Sequence, residues 1–424
     1  MKVMWISNIV FPRVCEQIGM PVPVSGGWLY SRAEQLSQLP DFTLAIASVY
    51  KGEKYHTMDI DGIRHYLIPL AKLDRYNVKL ENDWQRICTD FQPDIVHING
   101  TEYPHGVACM RACPDLRYAV SIQGLASVIA RYYLAGMSLK DVWANVTLLG
   151  ILSGKTILSE QKNMSLRGKY EAEYVSKADA ISGRTSWDLA HCRSLKPSVP
   201  YFHSSRSLRS SFVNSPKWDI ASKKEFSIFL SKGTSPFKGF HQVLKAVALL
   251  VSKYPQITIR VAGKDMLKRS GWKSQMTINN YQKYIRKLVD KLKLSDHVFF
   301  TGRLSEQQMA DELLRAHVFI CPSSIENSSN SIAEAQYLGV PVIASDVGGN
   351  MDLVEHCKSG FIYRFEEYEL LAHYLAKIFD DNELAVDMSE AGLAIAKSRH
   401  DPQVNLQADI DMYRFLHKTP AISQ

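Results

Sequence analysis

No stretch of this sequence approaches the roughly 18 consecutive apolar residues that a membrane-crossing helix needs. That argues against an integral membrane protein. Cysteine is sparse and odd in number, at Cys15, Cys88, Cys109, Cys113, Cys192, Cys321 and Cys357. No C-x-x-C pair or Cys/His ligand spacing occurs, which argues against a zinc site and suits a reducing compartment. Cys109 and Cys113, four apart, read as core thiols. No G-x-G-x-x-G follows a strand, so there is no dinucleotide fingerprint. The N-terminus from Met1 to Pro12 has one early positive charge, a short apolar run and no small-residue cleavage site. It reads as a first buried strand, and the expected location is cytoplasmic.

What is present is ordinary globular composition. The 424 residues are 46% hydrophobic and 22% charged, a length that suits two domains of about 200 residues each. The formal net charge of +7 fits nucleic acid, an anionic membrane or phosphate-bearing substrates without choosing among them. No aromatic-rich basic groove motif supports nucleic acid.

Short apolar runs alternate with helical stretches in both halves, the rhythm of parallel α/β sheets. In the first half, Lys2 to Ile9, Phe42 to Ser48, Asp94 to Ile98, Tyr118 to Ile122 and Ala178 to Ser182 read as strands. His56 to Ile68 reads as a hairpin turning at Asp61-Gly62. The region from about Ser127 to Tyr174 is less regular, mixing apolar residues with Arg131, Lys140, Lys155, Lys162, Arg167 and Lys169. Ser204 to Lys224 is polar, lacks a clear period and reads as the linker. In the second half, Phe226 to Ser231, Ile257 to Ala262, Val298 to Thr301, Val318 to Cys321 and Val340 to Ser345 read as strands, with Asn330 to Leu338 among the helices. The domains are expected at 1–215, completed by a C-terminal helix in 401–424, and at 222–400.

The most informative stretch runs from Cys321 to Gly349. A strand ends at Cys321, a Pro-Ser-Ser loop follows, and Ser329 or Asn330 opens a helix. Such a helix start gathers backbone N–H groups and a positive dipole end, a natural diphosphate seat. Glu326 precedes the helix and Glu334 lies about one turn inside it. Carboxylates suit sugar and ribose hydroxyls, because each accepts two hydrogen bonds. A second strand–loop–helix unit runs from Phe229 to Gly239, and Lys238 there can neutralise a departing diphosphate.

With these motifs the sequence resembles the retaining GT-B glycosyltransferases of family four, in their bacterial surface-polysaccharide branch. The resemblance covers the C-terminal half and, more thinly, the first 220 residues. It implies two Rossmann-like α/β domains facing across a deep cleft, with the C-terminal helix crossing back to the first domain. It implies that Glu326 of the E-x7-E motif lies beside the donor sugar, that Glu334 binds ribose, and that Ser329, Asn330 and Ser331 hold the diphosphate. The family's usual arginine falls at Gly233, so Lys232 is expected to substitute beside Lys238. Gly26 and Gly27 match a glycine pair that lets backbone approach phosphate and acceptor. Gln123 stands where many relatives carry histidine; it can bind a hydroxyl but cannot titrate. Arg184 lies near the cleft on the family template, and Gly302 and Arg303 beside the nucleobase.

His97 and His105 read as structural or acceptor-facing. Asp59/Asp61 and Asp409/Asp411 have the D-x-D spacing of metal-using transferases but read as surface acids. The expected function is therefore metal-independent transfer of a hexose-type sugar from a nucleotide-sugar, UDP-linked by family habit. The acceptor is a glycan or lipid-linked saccharide, in surface polysaccharide biosynthesis. No cofactor or nucleic acid is expected, and an anionic membrane surface is a possible partner. The alternatives are a GT-B nucleotide-sugar epimerase or hydrolase, or a non-catalytic nucleotide-sugar-binding protein.

Overall fold

A computed structural model describes residues 1–22, 27–268 and 278–418. The chain divides into two compact units. The first comprises residues 1–127, 165–207 and 400–424, and the second comprises 128–164 and 208–399. The division differs from the sequence boundaries at two places. Residues 128–164 and 208–215, expected in the first domain, belong to the second unit. The reason is packing that no local pattern encodes. Tyr133, Met137, Val142 and Ile157 join the second unit's hydrophobic core. Ser324 Oγ donates to the Tyr132 carbonyl at 2.8 Å, and His241 Nε2 meets the Ala135 carbonyl at 2.8 Å.

The first unit is built on β1 (Lys2–Ser7), β2 (Thr43–Tyr50), β3 (His56–Ile60), β4 (Ile63–Pro69), β5 (Ile95–Asn99), β6 (Arg117–Ser121), β7 (Ala180–Gly183) and β8 (Tyr201–His203). Their order is β3-β4-β2-β1-β5-β6-β7-β8, parallel except for the β3–β4 hairpin. Asp61 (φ 52°) and Gly62 (φ 76°) make that hairpin's turn. Positive φ at both central positions is the type I′ geometry that an Asp-Gly pair favours. The interior strands are near-continuous apolar runs, as expected of a parallel sheet covered on both faces. The helix Pro402–Lys418 packs on this sheet. Leu406, Ile410, Met412, Tyr413 and Leu416 share a buried cluster with Trp5 and Ile46.

The second unit is built on β9 (Ser227–Leu230), β10 (Thr258–Val261), β11 (Val298–Phe300), β12 (Val318–Cys321), β13 (Val342–Ser345) and β14 (Phe361–Tyr363). Every pairing is parallel, in the order β11-β10-β9-β12-β13-β14. Counted from its own first strand, that is the doubly wound 3-2-1-4-5-6 order, which reverses between β9 and β12. The first unit winds the same way, reversing between β1 and β5. The two halves are thus alike in topology although no sequence repeat is visible. Phe229, Phe240, Phe319 and Ile228 are wholly buried in the second core. Each such side chain contributes about 1.5–3 kcal/mol relative to exposure.

Sequence expectation fell short mainly where signals were weak. The irregular Ser127–Tyr174 region forms helices Ala126–Tyr132, Leu139–Ala144, Leu148–Leu152 and Ile157–Lys177. The linker contains a short helix, Ser210–Asn214, with Phe212 fully buried. Edge strands β8 and β14 are only three residues long and went unrecognised.

Candidate functional site

At the point where the second sheet's order reverses, β9 and β12 each release the chain into a loop and then a helix. Open α/β sheets bind ligands just outside the carboxyl ends of such strands. The loop after β9 ends in Pro236–Lys238 and turns into the helix Phe240–Leu250 through Gly239 at φ 69°. A Cβ at Gly239 would lie 1.6 Å from the Pro322 carbonyl oxygen, so only glycine lets the two loops close on each other. On the far side, a Cβ at Gly348 (φ 55°) would lie 1.8 Å from the Glu326 carbonyl oxygen. The Gly349 N–H donates to that oxygen at 3.1 Å. Glycines on both sides therefore clasp the loop that carries Glu326.

The loop after β12 runs into the helix Asn330–Leu338. Ser329 is its N-cap, accepting from the Ile332 N–H at 3.4 Å, and Gly339 at φ 81° closes it. The positive end of the helix dipole thus emerges at Asn330 and Ser331, beside the reversal point.

Glu326 accepts from the Lys238 ammonium in a short ion pair and from Ser323 Oγ at 2.8 Å. Burial pulls the Lys238 ammonium down most strongly, but the charges of Glu326 and Cys321 and the hydrogen bond to Glu326 together outweigh it, and the net shift is upward. Lys232, on the same loop as Lys238, is pushed down by desolvation of its ammonium and by the like charge of Lys238, with Glu326 partly offsetting. Two lysines next to one carboxylate leave an excess of positive charge at the helix start.

Glu334 is buried inside the helix and accepts two hydrogen bonds from Arg209, at 2.6 Å from Nη2 and 3.1 Å from Nε. Burial raises its carboxyl to about 7, even with Arg209 pulling the other way. Arg209 also reaches Glu306 at 3.4 Å. Sequence reading missed Arg209 altogether. It lies in the aperiodic segment Ser204 to Lys224, 125 residues from Glu334, and no spacing rule joins the two.

Gly302 and Arg303 follow β11 on the same edge of this sheet. Gly302 has φ 78°, and its carbonyl accepts from the Gly263 N–H at 2.8 Å; Arg303 is exposed.

The remaining expected residues lie in the first unit. Gly26 is outside the described residues, and Gly27 opens the helix Gly27–Ser37. Gln123 donates to the Asn99 carbonyl at 3.0 Å, and Arg184 Nη2 donates to the Gln123 carbonyl at 2.7 Å. Both line a cavity of about 30 Å³, with Trp5, Trp28, His97 and Arg206 also in its wall. His97 is buried between Tyr413 Oη (2.6 Å from Nδ1) and Ser121 Oγ (2.7 Å from Nε2). Burial pushes it down to about 3, so it stays neutral. His105 is likewise buried and pushed down to about 4.

Of the two D-x-D pairs read as surface acids, only Asp409 departs from that reading. It is buried and receives Arg32 Nη1 at 2.6 Å, while Asp59, Asp61 and Asp411 are exposed. Among the described residues no group of three or more His, Cys, Asp or Glu is placed to hold a metal ion.

Residues 212–394 match the family model described as Glycosyl transferases group 1. The likeness is to group 1 glycosyltransferases. A D-inositol 3-phosphate glycosyltransferase of Streptomyces scabiei is 28% identical over 171 residues, 38% of this chain and 35% of its own. Matched segments span only about a third to two fifths of the lengths of the first curated relatives. Among solved structures, sucrose-phosphate synthase from Thermosynechococcus elongatus superposes with a TM-score of 0.71 at 16% identity, covering 98% of this chain and 99% of that one. Anabaena HepE, solved in complex with UDP and glucose, gives 0.66 at 15% identity over 98% and 99%. The fold is GT-B, two α/β units with parallel sheets. The segment matched by the family model contains Arg209's neighbour Phe212, Lys232, Lys238, Glu326 and Glu334.

Proposed function

We propose that this chain is a retaining, metal-independent glycosyltransferase that moves a hexose-type sugar from a UDP-sugar to a glycan or lipid-linked saccharide in surface polysaccharide biosynthesis. The observation that carries the reading is the pairing of Lys238 with Glu326 beside the Ser329-capped helix, at the reversal of a 3-2-1-4-5-6 sheet. Such a site has a cation and a helix end for the diphosphate, and carboxylates to either side for hydroxyl groups. HepE, whose solved complexes contain UDP and glucose, is a GT-B neighbour, and that favours uridine as the carrier.

In this reading the diphosphate lies against Asn330 and Ser331, with Lys238 and Lys232 as counter-ions. Glu334, held by Arg209, receives the ribose hydroxyls. Glu326 gives up part of its contact with Lys238 and accepts from the donor sugar. Gln123 and Arg184 serve the sugar and acceptor side. The bond from the anomeric carbon to the phosphate oxygen breaks as the acceptor hydroxyl attacks the same face. The departing phosphate oxygen takes the hydroxyl proton, which balances the step without a protein base. Lys238 and the helix dipole stabilise the charge that develops on the leaving group. Two lysines and a helix end supply the charge a metal supplies elsewhere.

Thermal-shift titration with UDP, GDP and ADP, and with their sugar conjugates, in the presence of chelator tests this. Ligand binding raises the melting temperature by mass action. A shift selective for UDP that Glu334→Ala abolishes, followed by sugar transfer with retained anomeric configuration, is the expected result. No shift with any nucleotide at millimolar concentration overturns the donor site. A shift with release of free sugar and no acceptor product replaces transfer by hydrolysis.

A further inference from the structure

The segment from Tyr132 to Lys155 in the second unit carries a surface that the donor chemistry does not use. Its inward side chains, Tyr133, Met137 and Val142, belong to the core. Its outward side chains are also apolar. Leu139 and Trp143 lie one turn apart on the helix Leu139–Ala144, and Trp143 is 65% exposed. On the helix Leu148–Leu152, Leu148 is 70%, Ile151 60% and Leu152 77% exposed. Large apolar groups this exposed and this close together mark an interaction surface.

The surface is held in place by the fold. The Thr147 N–H and Oγ1 both donate to Asn280 Oδ1, at 3.2 and 2.9 Å. A Cβ at Gly150 would meet that same oxygen at 2.5 Å, so the helix Leu148–Leu152 sits directly on the helix Asn280–Leu292.

Its rim is basic. Lys140 and Lys155 are exposed beside the apolar residues. Lys283 and Lys287 reach the Val146 and Ala144 carbonyls at 3.2 and 3.3 Å. The carboxylate within the segment, Asp141, accepts from Ser138 Oγ at 2.7 Å, and its charge acts on Lys245 and Tyr284.

We propose that this face seats on an anionic lipid bilayer. Trp143, Leu148, Ile151 and Leu152 enter the headgroup boundary, and the lysines meet lipid phosphates. Charge complementarity selects this occupant over a second copy of the chain. A two-fold contact would bring the same lysine rims together, with Asp141 the one carboxylate of the segment to offset Lys140 and Lys155. The proposal goes beyond the donor reading and does not depend on it.

Flotation of the full chain with vesicles tests it. One set is phosphatidylcholine alone, and the other is equal parts phosphatidylcholine and phosphatidylglycerol. The chain is expected to float with the anionic vesicles at low salt and to be released by high salt. The triple variant Trp143→Ser, Leu148→Ser, Leu152→Ser should lower partitioning about tenfold or more. Because its changes are on exposed positions, its melting temperature should stay near that of the parent. Lys140→Glu with Lys155→Glu should remove the preference for the anionic vesicles. Failure of the parent to float, or equal flotation of the triple variant, overturns the proposal. Concentration-dependent dimerisation lost in the triple variant, without flotation of the parent, assigns the face to a second copy and also overturns it.

Discussion

The two units share a winding order but hold their polar groups in opposite ways. In the second, charges cluster at the sheet edge. Lys238 faces Glu326, and Arg209 holds a Glu334 carboxyl that burial has raised to about 7. In the first, the polar groups near the reversal point are sunk into the core. His97 is neutral between Tyr413 and Ser121, and Arg32 is locked to Asp409 beneath the C-terminal helix. One unit gathers paired charges at its sheet edge; the other uses polar side chains to fasten a distant helix to its sheet. The contrast extends to pH. A raised carboxyl makes the second unit less stable as pH climbs from about 4.5 to about 7, because the unfolded chain loses its proton first. A depressed histidine makes the first unit less stable as pH falls from about 6.5 to about 3, because the unfolded chain gains a proton first.

The largest expected effect is on the first unit. Arg32 donates to Asp409 Oδ2 and to the Asn405 carbonyl, both at 2.6 Å, in a buried setting. Arg32→Ala strands a buried carboxylate and should cost about 3–5 kcal/mol of unfolding free energy. Burial already raises the Asp409 carboxyl, so the loss should shrink at acid pH, where Asp409 takes up a proton. Denaturant unfolding at pH 7.5 and pH 5 measures both. A loss under about 1 kcal/mol would show that the pair does not fasten the helix Pro402–Lys418.

On the second unit, Lys238→Ala should lower turnover by about 10²–10³-fold, the usual cost of removing one group that stabilises developing charge. Lys238→Arg should recover part of it. Equal turnover in Lys238→Ala would place the leaving-group cation elsewhere, Lys232 being the neighbour to try next.

Glu334→Gln is smaller and has a distinctive sign. It removes a buried charge while keeping the volume. Without ligand, the parent should lose stability relative to the variant as pH rises from about 5 to 7.5, by on the order of 3 kcal/mol at most. In the same range the variant should bind UDP about 10–100-fold more weakly, through loss of charge-assisted hydrogen bonds. Parallel pH profiles for the two proteins would mean that Glu334 is not held near neutrality.

How much of this was legible follows from distance along the chain. The loop after β12 could be read because everything it needs is local: an apolar run to Cys321, a serine cap at Ser329, a glycine stop at Gly339. The helix Asn330–Leu338 fell where the sequence placed it for the same reason. Arg209 could not be read, since it meets Glu334 across 125 residues from a stretch without period. Nor could the membership of residues 128–164, which depends on Tyr133 and Val142 finding a core built from residues beyond 208. Asp409 was misread because an acid on a helix is usually solvated, and its burial comes from Arg32, some 377 residues earlier.

The finest probe of the comparison is a single hydroxyl. Tyr413 Oη accepts from Trp5 Nε1 at 2.9 Å and meets His97 Nδ1 at 2.6 Å. With its proton directed to Nδ1, Nε2 of the neutral ring carries the hydrogen and donates to Ser121 Oγ. Tyr413→Phe keeps the ring packing but leaves the buried Trp5 N–H without its acceptor, which should cost about 1–3 kcal/mol. The melting temperature should fall by roughly 2–8 °C. The acid slope between about pH 6.5 and 3 should remain, because burial of His97 causes it and the variant does not undo that burial. His97→Gln should flatten that part of the slope. If Tyr413→Phe flattened it instead, the hydroxyl would be holding His97 neutral, and the first unit would be governed by the same paired chemistry as the second.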